Sequence, residues 1–259
     1  MQNELKIAII QSDLVWENPL KNRYTFLNKI ENITEDIDMI VLPEMFTTGF
    51  TMNAQVIAET MEGDTIKWMQ YLAVKMQTAI VGSIIIENNN NFYNRLFFVH
   101  PSRKIEYYDK RHTFTLAGEH KVFSSGNKKL IVDYKGWKIC PLICYDLRFP
   151  VWSRNTENFD VLIYVANWPK PRITAWDTLL KARAIENMSY SIGVNRVGLD
   201  SDNNEYPGHS GVYDGLGKLM SNFEKNKEQI EIITISKNHL TTLKEKLKFL
   251  NDKDHFIVK

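Results

Sequence analysis

The chain has 259 residues, 44% hydrophobic and 24% charged, and its 32 Lys and Arg balance 31 Asp and Glu to a net charge of +1. This is an ordinary globular composition: it excludes global disorder, and the lack of a basic field disfavours a general nucleic-acid binder. Two cysteines exclude a disulfide scaffold; Cys140 and Cys144 would lie roughly 13 Å apart in an extended chain, too far to bridge.

Free thiols fit a reducing compartment. No run approaches the length of a membrane span, and the apolar run Ile7–Ile10 is too short for a secretory core. A soluble, cytoplasmic protein is expected. No repeat, linker or composition break divides the sequence, so residues 1–259 read as one domain, with a C-terminal helix and tail over about 237–259.

In chain order, Lys6–Gln11 reads as a strand. Tyr24, Leu27, Ile30 and Ile33 recur at helical spacing. Met39–Leu42 is a short apolar strand stopped by Pro43. Asp64 can cap a helix carrying Ile66, Met69, Leu72 and Met76. Ala79–Ile86 and Phe92–Val99 read as a hairpin around the Asn88–Asn91 run, and Ile105–Tyr108 as a third strand. Leu130–Val132 and Trp137–Ile143 bracket a Lys135-Gly136 turn, and Val161–Val165 is a buried-type strand. Thr174 can cap a helix through Ile185. Ser189–Val194, Gly211–Tyr213 and Ile230–Ser236 read as strands, with a Gly215-Leu-Gly217 turn, and Leu240–Leu250 as an amphipathic closing helix. Strands alternating with helices, plus antiparallel hairpins, define an α/β layered domain.

Cys144 ends the apolar strand of Ile139-Cys-Pro-Leu-Ile-Cys-Tyr-Asp-Leu-Arg-Phe-Pro150 and enters a polar turn. A thiol there sits at a sheet rim, and the turn's N–H groups, first that of Tyr145, can face an oxyanion. The same cysteine could instead be a small buried hydrophobe, as Cys140 reads. A nucleophilic thiol needs a proton acceptor. His112 and His120 are candidates. So is Glu44, which leaves a buried strand between apolar neighbours, where desolvation raises a carboxyl pKa toward the useful range. Lys110, among aromatic residues in Tyr107-Tyr-Asp-Lys-Arg-His-Thr-Phe114, could hold a developing oxyanion, and Glu119 follows nearby.

Other motifs fail on spacing. Gly208-His-Ser-Gly211 is one residue off a serine-hydrolase elbow. Gly215-Leu-Gly-Lys218 is too short for a phosphate loop. Cys140 and Cys144 lack a second ligand pair, so no metal site is expected. Lys244–Lys248 reads as a solvated helix face rather than a membrane anchor.

Three segments, Leu42-Pro-Glu44-Met-Phe, Tyr108-Asp-Lys110-Arg-His and Ile143-Cys144-Tyr-Asp-Leu-Arg-Phe-Pro150, resemble the nitrilase (carbon–nitrogen hydrolase) superfamily in order and content, over about residues 5–235. The resemblance implies a four-layer α-β-β-α sandwich with two central sheets, and commonly a homodimer. It also implies a catalytic set of Glu44, Lys110 and Cys144, supported by Glu119 and the Tyr145 N–H. Glu44 then replaces histidine as the base, and His112 drops to a supporting position. No cofactor is implied.

The stretches Ala117-Gly-Glu-His, Pro150–Asn155, Val165–Arg172 and Trp176–Asn187 are similar to the omega-amidases. That implies small monoamides of (2-oxo)dicarboxylic acids as substrates, such as 2-oxoglutaramate and 2-oxosuccinamate, in a salvage role. A distal carboxylate suits an arginine, Arg148 or Arg172, either of which could equally be a structural ion pair. Phe114 and Trp168 are candidate pocket walls. An aliphatic or N-carbamoyl amidase, or a non-catalytic binding member, are the alternatives.

Overall fold

The computed structural model describes residues 2–258. Its strands and helices, in order, are β1 (Glu4–Gln11), α1 (Pro19–Glu31), β2 (Met39–Val41), α2 (Ala54–Ile57), α3 (Asp64–Met76), β3 (Ala79–Asn88), β4 (Asn91–Val99), β5 (Ile105–Asp109), β6 (Val132–Tyr134), β7 (Trp137–Ile143), α4 (Pro150–Ser153), β8 (Val161–Ala166), α5 (Ile173–Asn187), β9 (Tyr190–Asn195), β10 (Val197–Leu199), β11 (Glu205–Pro207), β12 (Gly211–Tyr213), β13 (Gln229–Ser236) and α6 (Lys237–Leu247).

They form a six-stranded sheet, β13-β1-β2-β3-β4-β5, a five-stranded sheet, β12-β9-β8-β7-β6, and a small β10-β11 ribbon. Each large sheet has three parallel strands at its heart, β1-β2-β3 and β7-β8-β9, flanked by antiparallel ones. Alternation along the first sheet explains the layers. Ile7, Ile9, Met39, Val41, Val81 and Phe98 enter one core with the second sheet. The intervening Ala8, Ile10, Ile40, Ile80 and Phe97 pack against Phe26 and Ile30 of α1 and Ile66, Met69 and Leu72 of α3. On the far side of the second sheet, Trp176 and Leu180 of α5 press against Gly193 of β9. This is the four-layer α-β-β-α sandwich that the resemblance implied.

Local chemistry fixes the turns. Asn89 and Asn90 both take positive φ (51° and 59°), as do Lys135 and Gly136 (51° and 87°), the geometry of the tight hairpin that matches strand twist. Four readings of the sequence need correction. Tyr24 is 64% exposed, because the inward face of α1 runs through Asn22, Phe26 and Ile30, and Ile33 lies beyond the helix. Asp64 is the first residue of α3, behind Gly63 at the cap. Thr174 lies inside α5, whose cap is Arg172. The closing helix runs over Lys237–Leu247 rather than Leu240–Leu250, and the Ser236 hydroxyl caps it by accepting the His239 N–H.

Candidate active site

Glu44 follows β2, Lys110 follows β5, Cys144 follows β7 and Asn167 follows β8, so each sits just past the carboxyl end of a strand. The structure brings all four to one buried point: Glu44, Lys110, Cys144 and Asn167 are 0%, 1%, 8% and 5% exposed.

Lys110 Nζ lies 2.9 Å from Glu44 Oε1 and 3.0 Å from both carboxylate oxygens of Glu119. Asn94 Nδ2, from the interior of β4, donates to the same Glu44 oxygen at 2.8 Å. The other oxygen, Oε2, accepts the Asn167 N–H at 2.8 Å. Asn167 Nδ2 also donates to the Glu44 carbonyl at 2.6 Å, and the Asn167 carbonyl lies 3.9 Å from Cys144 Sγ. Glu119 is buried and accepts the Phe114 N–H, which ties the 114–119 segment to the ammonium.

Burial alone would lower the Lys110 pKa, but the charges of Glu119 and then Glu44 outweigh it and hold the ammonium well above its ordinary value. For Glu119, burial raises the carboxyl pKa and the Lys110 charge only partly offsets it. Burial, and then the facing Glu44 charge, push the Cys144 thiol well above its usual range, with Lys110 acting the other way. The resting thiol therefore holds its proton, and acting as a nucleophile would require a base.

Cys144 opens a 3₁₀ turn over Cys144–Arg148 with φ of 43°, a left-handed conformation that costs a non-glycine residue roughly 1–2 kcal/mol. Met45, beside Glu44, is also left-handed at 44°, its N–H held by Ser83 Oγ at 2.9 Å. The Cys144 turn is tied down at Asp146, which accepts from Ile143 N, Tyr108 Oη and His112, and at Leu147, whose carbonyl takes two bonds from buried Arg183. Tyr145 stands in the first turn of this short helix, where an N–H has no intrahelical acceptor and is open to an oxyanion.

Cys144 and Lys110 open into a cavity of about 330 Å³. Phe114, Arg148, Trp168 and Arg172 all line it, with Phe50 and Tyr206 among the residues not singled out in the sequence. The Arg148 guanidinium stacks on Trp168 at 4.9 Å and that of Arg172 on Phe114 at 5.1 Å. Among the described residues neither has a carboxylate partner, so the ion-pair reading of these arginines gives way. Asn94 and Asn167 were not singled out. Asn167 had a signal: like Glu44 and Cys144, it is the first polar residue after an apolar strand.

A buried thiol, a hydrogen-bonded carboxylate and a fixed ammonium around one cavity can perform acyl transfer at a carbon–nitrogen bond. The carbon-nitrogen hydrolase family matches residues 6–245, and the chain belongs to it. The chain is 41% identical over 254 residues to the omega-amidase YafV of Yersinia enterocolitica, covering 98% of both. It is 34% identical over 220 residues to the 2-oxoglutaramate amidase of Bacillus subtilis (strain 168), covering 83% of this chain and 85% of that one. The structure of XC1258 from Xanthomonas campestris, a CN-hydrolase superfamily protein with an arsenic adduct in its active site, matches with a TM-score of 0.97 over 100% of both chains at 38% identity.

Proposed function

We propose that this enzyme is an omega-amidase, cleaving the terminal amide of small monoamides of (2-oxo)dicarboxylic acids, such as 2-oxoglutaramate and 2-oxosuccinamate, to carboxylate and ammonia. Glu44, Lys110 and Cys144 do the chemistry, with Glu119 and the Tyr145 N–H in support. The observation that carries this reading is a pair of guanidiniums, Arg148 and Arg172, that stack on aromatic rings but have no carboxylate partner among the described residues, in the cavity that also holds the thiol. A carboxylate at the far end of the substrate satisfies them, and Phe114 and Trp168 hold its methylene chain.

The amide carbonyl carbon meets Cys144 Sγ, and Glu44 takes the thiol proton as the C–S bond forms. The oxyanion is held by Lys110 and the Tyr145 N–H; loss of one comparable donor elsewhere costs about 3 kcal/mol. Glu44 then delivers its proton to the amide nitrogen, the C–N bond breaks and ammonia leaves a thioester on Cys144. Water, deprotonated by Glu44, attacks that thioester; the acid departs and the thiol recovers its proton. Lys110 and Asn94 share one oxygen of Glu44 and Asn167 holds the other, so the carboxylate stays aimed through both half-reactions.

We also take residues 1–259 as one hydrolase domain, a reading supported by a main core that draws on side chains from Leu5 to Leu240. A cytoplasmic location is supported by two buried free thiols. A homodimer is supported by exposed Ile185, Leu216 and Leu219 around the C-terminal part of α5; light scattering tests it.

Mass spectrometry of the protein mixed with 2-oxoglutaramate tests the function. An acyl adduct on Cys144, absent in Cys144→Ala, is expected. Ammonia release no faster from keto-dicarboxylate monoamides than from simple aliphatic or N-carbamoyl amides would move the assignment to another specificity of the family, and inertness toward every amide would leave a non-catalytic member.

A further inference from the structure

Tyr108 lies in β5, Lys110 follows its end directly and His112 sits in the bend just beyond. Lys110 reaches Glu44 and Glu119; its two flanking neighbours reach Asp146, two residues beyond Cys144. Asp146 is fully buried and works as a fork. Its Oδ2 accepts the Ile143 N–H at 3.1 Å and the Tyr108 hydroxyl at 2.8 Å. Its Oδ1 accepts the His112 N–H at 3.0 Å and faces His112 Nδ1 at 2.8 Å. A carboxylate only accepts, so His112 carries its proton on Nδ1. The imidazole is held flat against Phe149 at 3.7 Å and 5°, and Phe149 closes the same 3₁₀ turn that Cys144 opens. Trp152 Nε1 donates to the Tyr108 oxygen at 2.9 Å, fixing that hydroxyl toward Asp146.

We propose that His112 and Asp146 are a positioning pair: the Nδ1–H of His112 locks the Asp146 fork, and the fork sets the left-handed Cys144 at its working offset from Lys110. Neither residue touches the substrate. The inference rests on the proposed roles of Cys144 and Lys110. Its chemical content is that the oxyanion donors come from two separate segments, Lys110 on one and Tyr145 on the other, and that this fork is a direct hydrogen-bonded link between them. A slip of about 1 Å at a reacting centre is enough to lower a rate about 100-fold.

Two conservative variants separate positioning from mere support. Asparagine places its amide nitrogen where Nδ1 sits; glutamine places it where Nε2 sits. We expect His112→Asn to keep kcat toward 2-oxoglutaramate within about 3-fold and His112→Gln to lose about 30-fold, with KM within about 2-fold in both. Both should melt within a few degrees of each other. Equal retention or equal loss of kcat in the two variants overturns the proposal, as does a loss confined to the melting temperature. An inactive wild-type enzyme that forms no thioester sinks instead the functional reading on which it rests.

Discussion

Lys110 and Glu119 form an ion pair that is shut away from water, with the ammonium 3.0 Å from each carboxylate oxygen. Two acids thus surround one base, Glu44 sharing the same ammonium. The arrangement keeps Lys110 charged in a site where burial alone would discharge it.

Glu119→Gln keeps the shape and one acceptor but removes one of the two charges. Lys110 then loses its stronger electrostatic partner, and kcat is expected to fall about 10- to 100-fold with the fold retained. Glu119→Ala also leaves the Phe114 N–H unpaired and the ammonium half-compensated, for which about 3–5 kcal/mol of lost stability is the scale. Urea unfolding followed by fluorescence measures it. The sign for pH is fixed by the raised Lys110 pKa: stability from this pairing is whole below the unfolded value of about 10.4 and is lost as pH climbs through the higher folded value.

Cys144 should be slow to modify at neutral pH. Burial and the Glu44 charge hold its pKa well above the ordinary one, so a small uncharged thiol reagent, methyl methanethiosulfonate, should inactivate the enzyme at a rate still rising above pH 9. Turnover should not follow that rise, because Glu44 rather than hydroxide takes the proton. An inactivation rate that levels off near pH 7 would mean a preformed thiolate and remove the need for Glu44 as base.

Arg148→Ala and Arg172→Ala test substrate recognition. A hydrogen bond to a charged group contributes about 1.5–3 kcal/mol, so the arginine that meets the distal carboxylate should raise KM for 2-oxoglutaramate about 10- to 150-fold when truncated. Turnover of a neutral aliphatic amide should change little. Unchanged KM in both variants would place the carboxylate elsewhere in the cavity.

The parts of this site that were legible in the sequence share one trait. Glu44 and Cys144 are polar residues that leave wholly apolar strands, and a strand end at a sheet rim is where a side chain can be both dry and reachable. Lys110 follows a strand that is only partly buried, so its aromatic, mixed-charge setting and the family resemblance raised it. Asn94 escaped because its meaning lies in a partner 50 residues away, which no local pattern carries, whereas Asn167 shares the strand-end trait but its partner is 123 residues away. The two-sheet layering came from resemblance, since alternation shows that a strand has two faces but not what covers each. The β10-β11 ribbon was invisible: its strands are three residues each, too short to alternate, yet Tyr206 in the middle of β11 lines the cavity. On α1, the three-residue shift from Tyr24 to Leu27 looked like a core stripe, but the buried face follows the four-residue step from Asn22 to Phe26 to Ile30.

The seat of α5 on the second sheet gives the last prediction. Gly193 lies in the middle of β9, and a Cβ there would stand 2.4 Å from Leu180 Cδ1 and 2.7 Å from Trp176 Cζ2. The helix approaches so closely only because the strand offers no side chain. Trp176 cannot turn aside freely, because its Nε1–H donates to the His209 carbonyl at 2.7 Å and its ring packs 5.4 Å from Trp168 on the cavity wall. Gly193→Ala should therefore destabilise the fold by about 1–3 kcal/mol, the usual scale for overpacking. It should also raise KM, because Trp168 moves with Trp176. Leu180→Ala in the same chain removes the nearest atom and should return part of the stability but not the KM, since the Trp176 contact persists. Denaturant melts and substrate titrations of the single and double variants check both halves, and stability loss with KM unchanged would disconnect the α5 seat from the pocket wall.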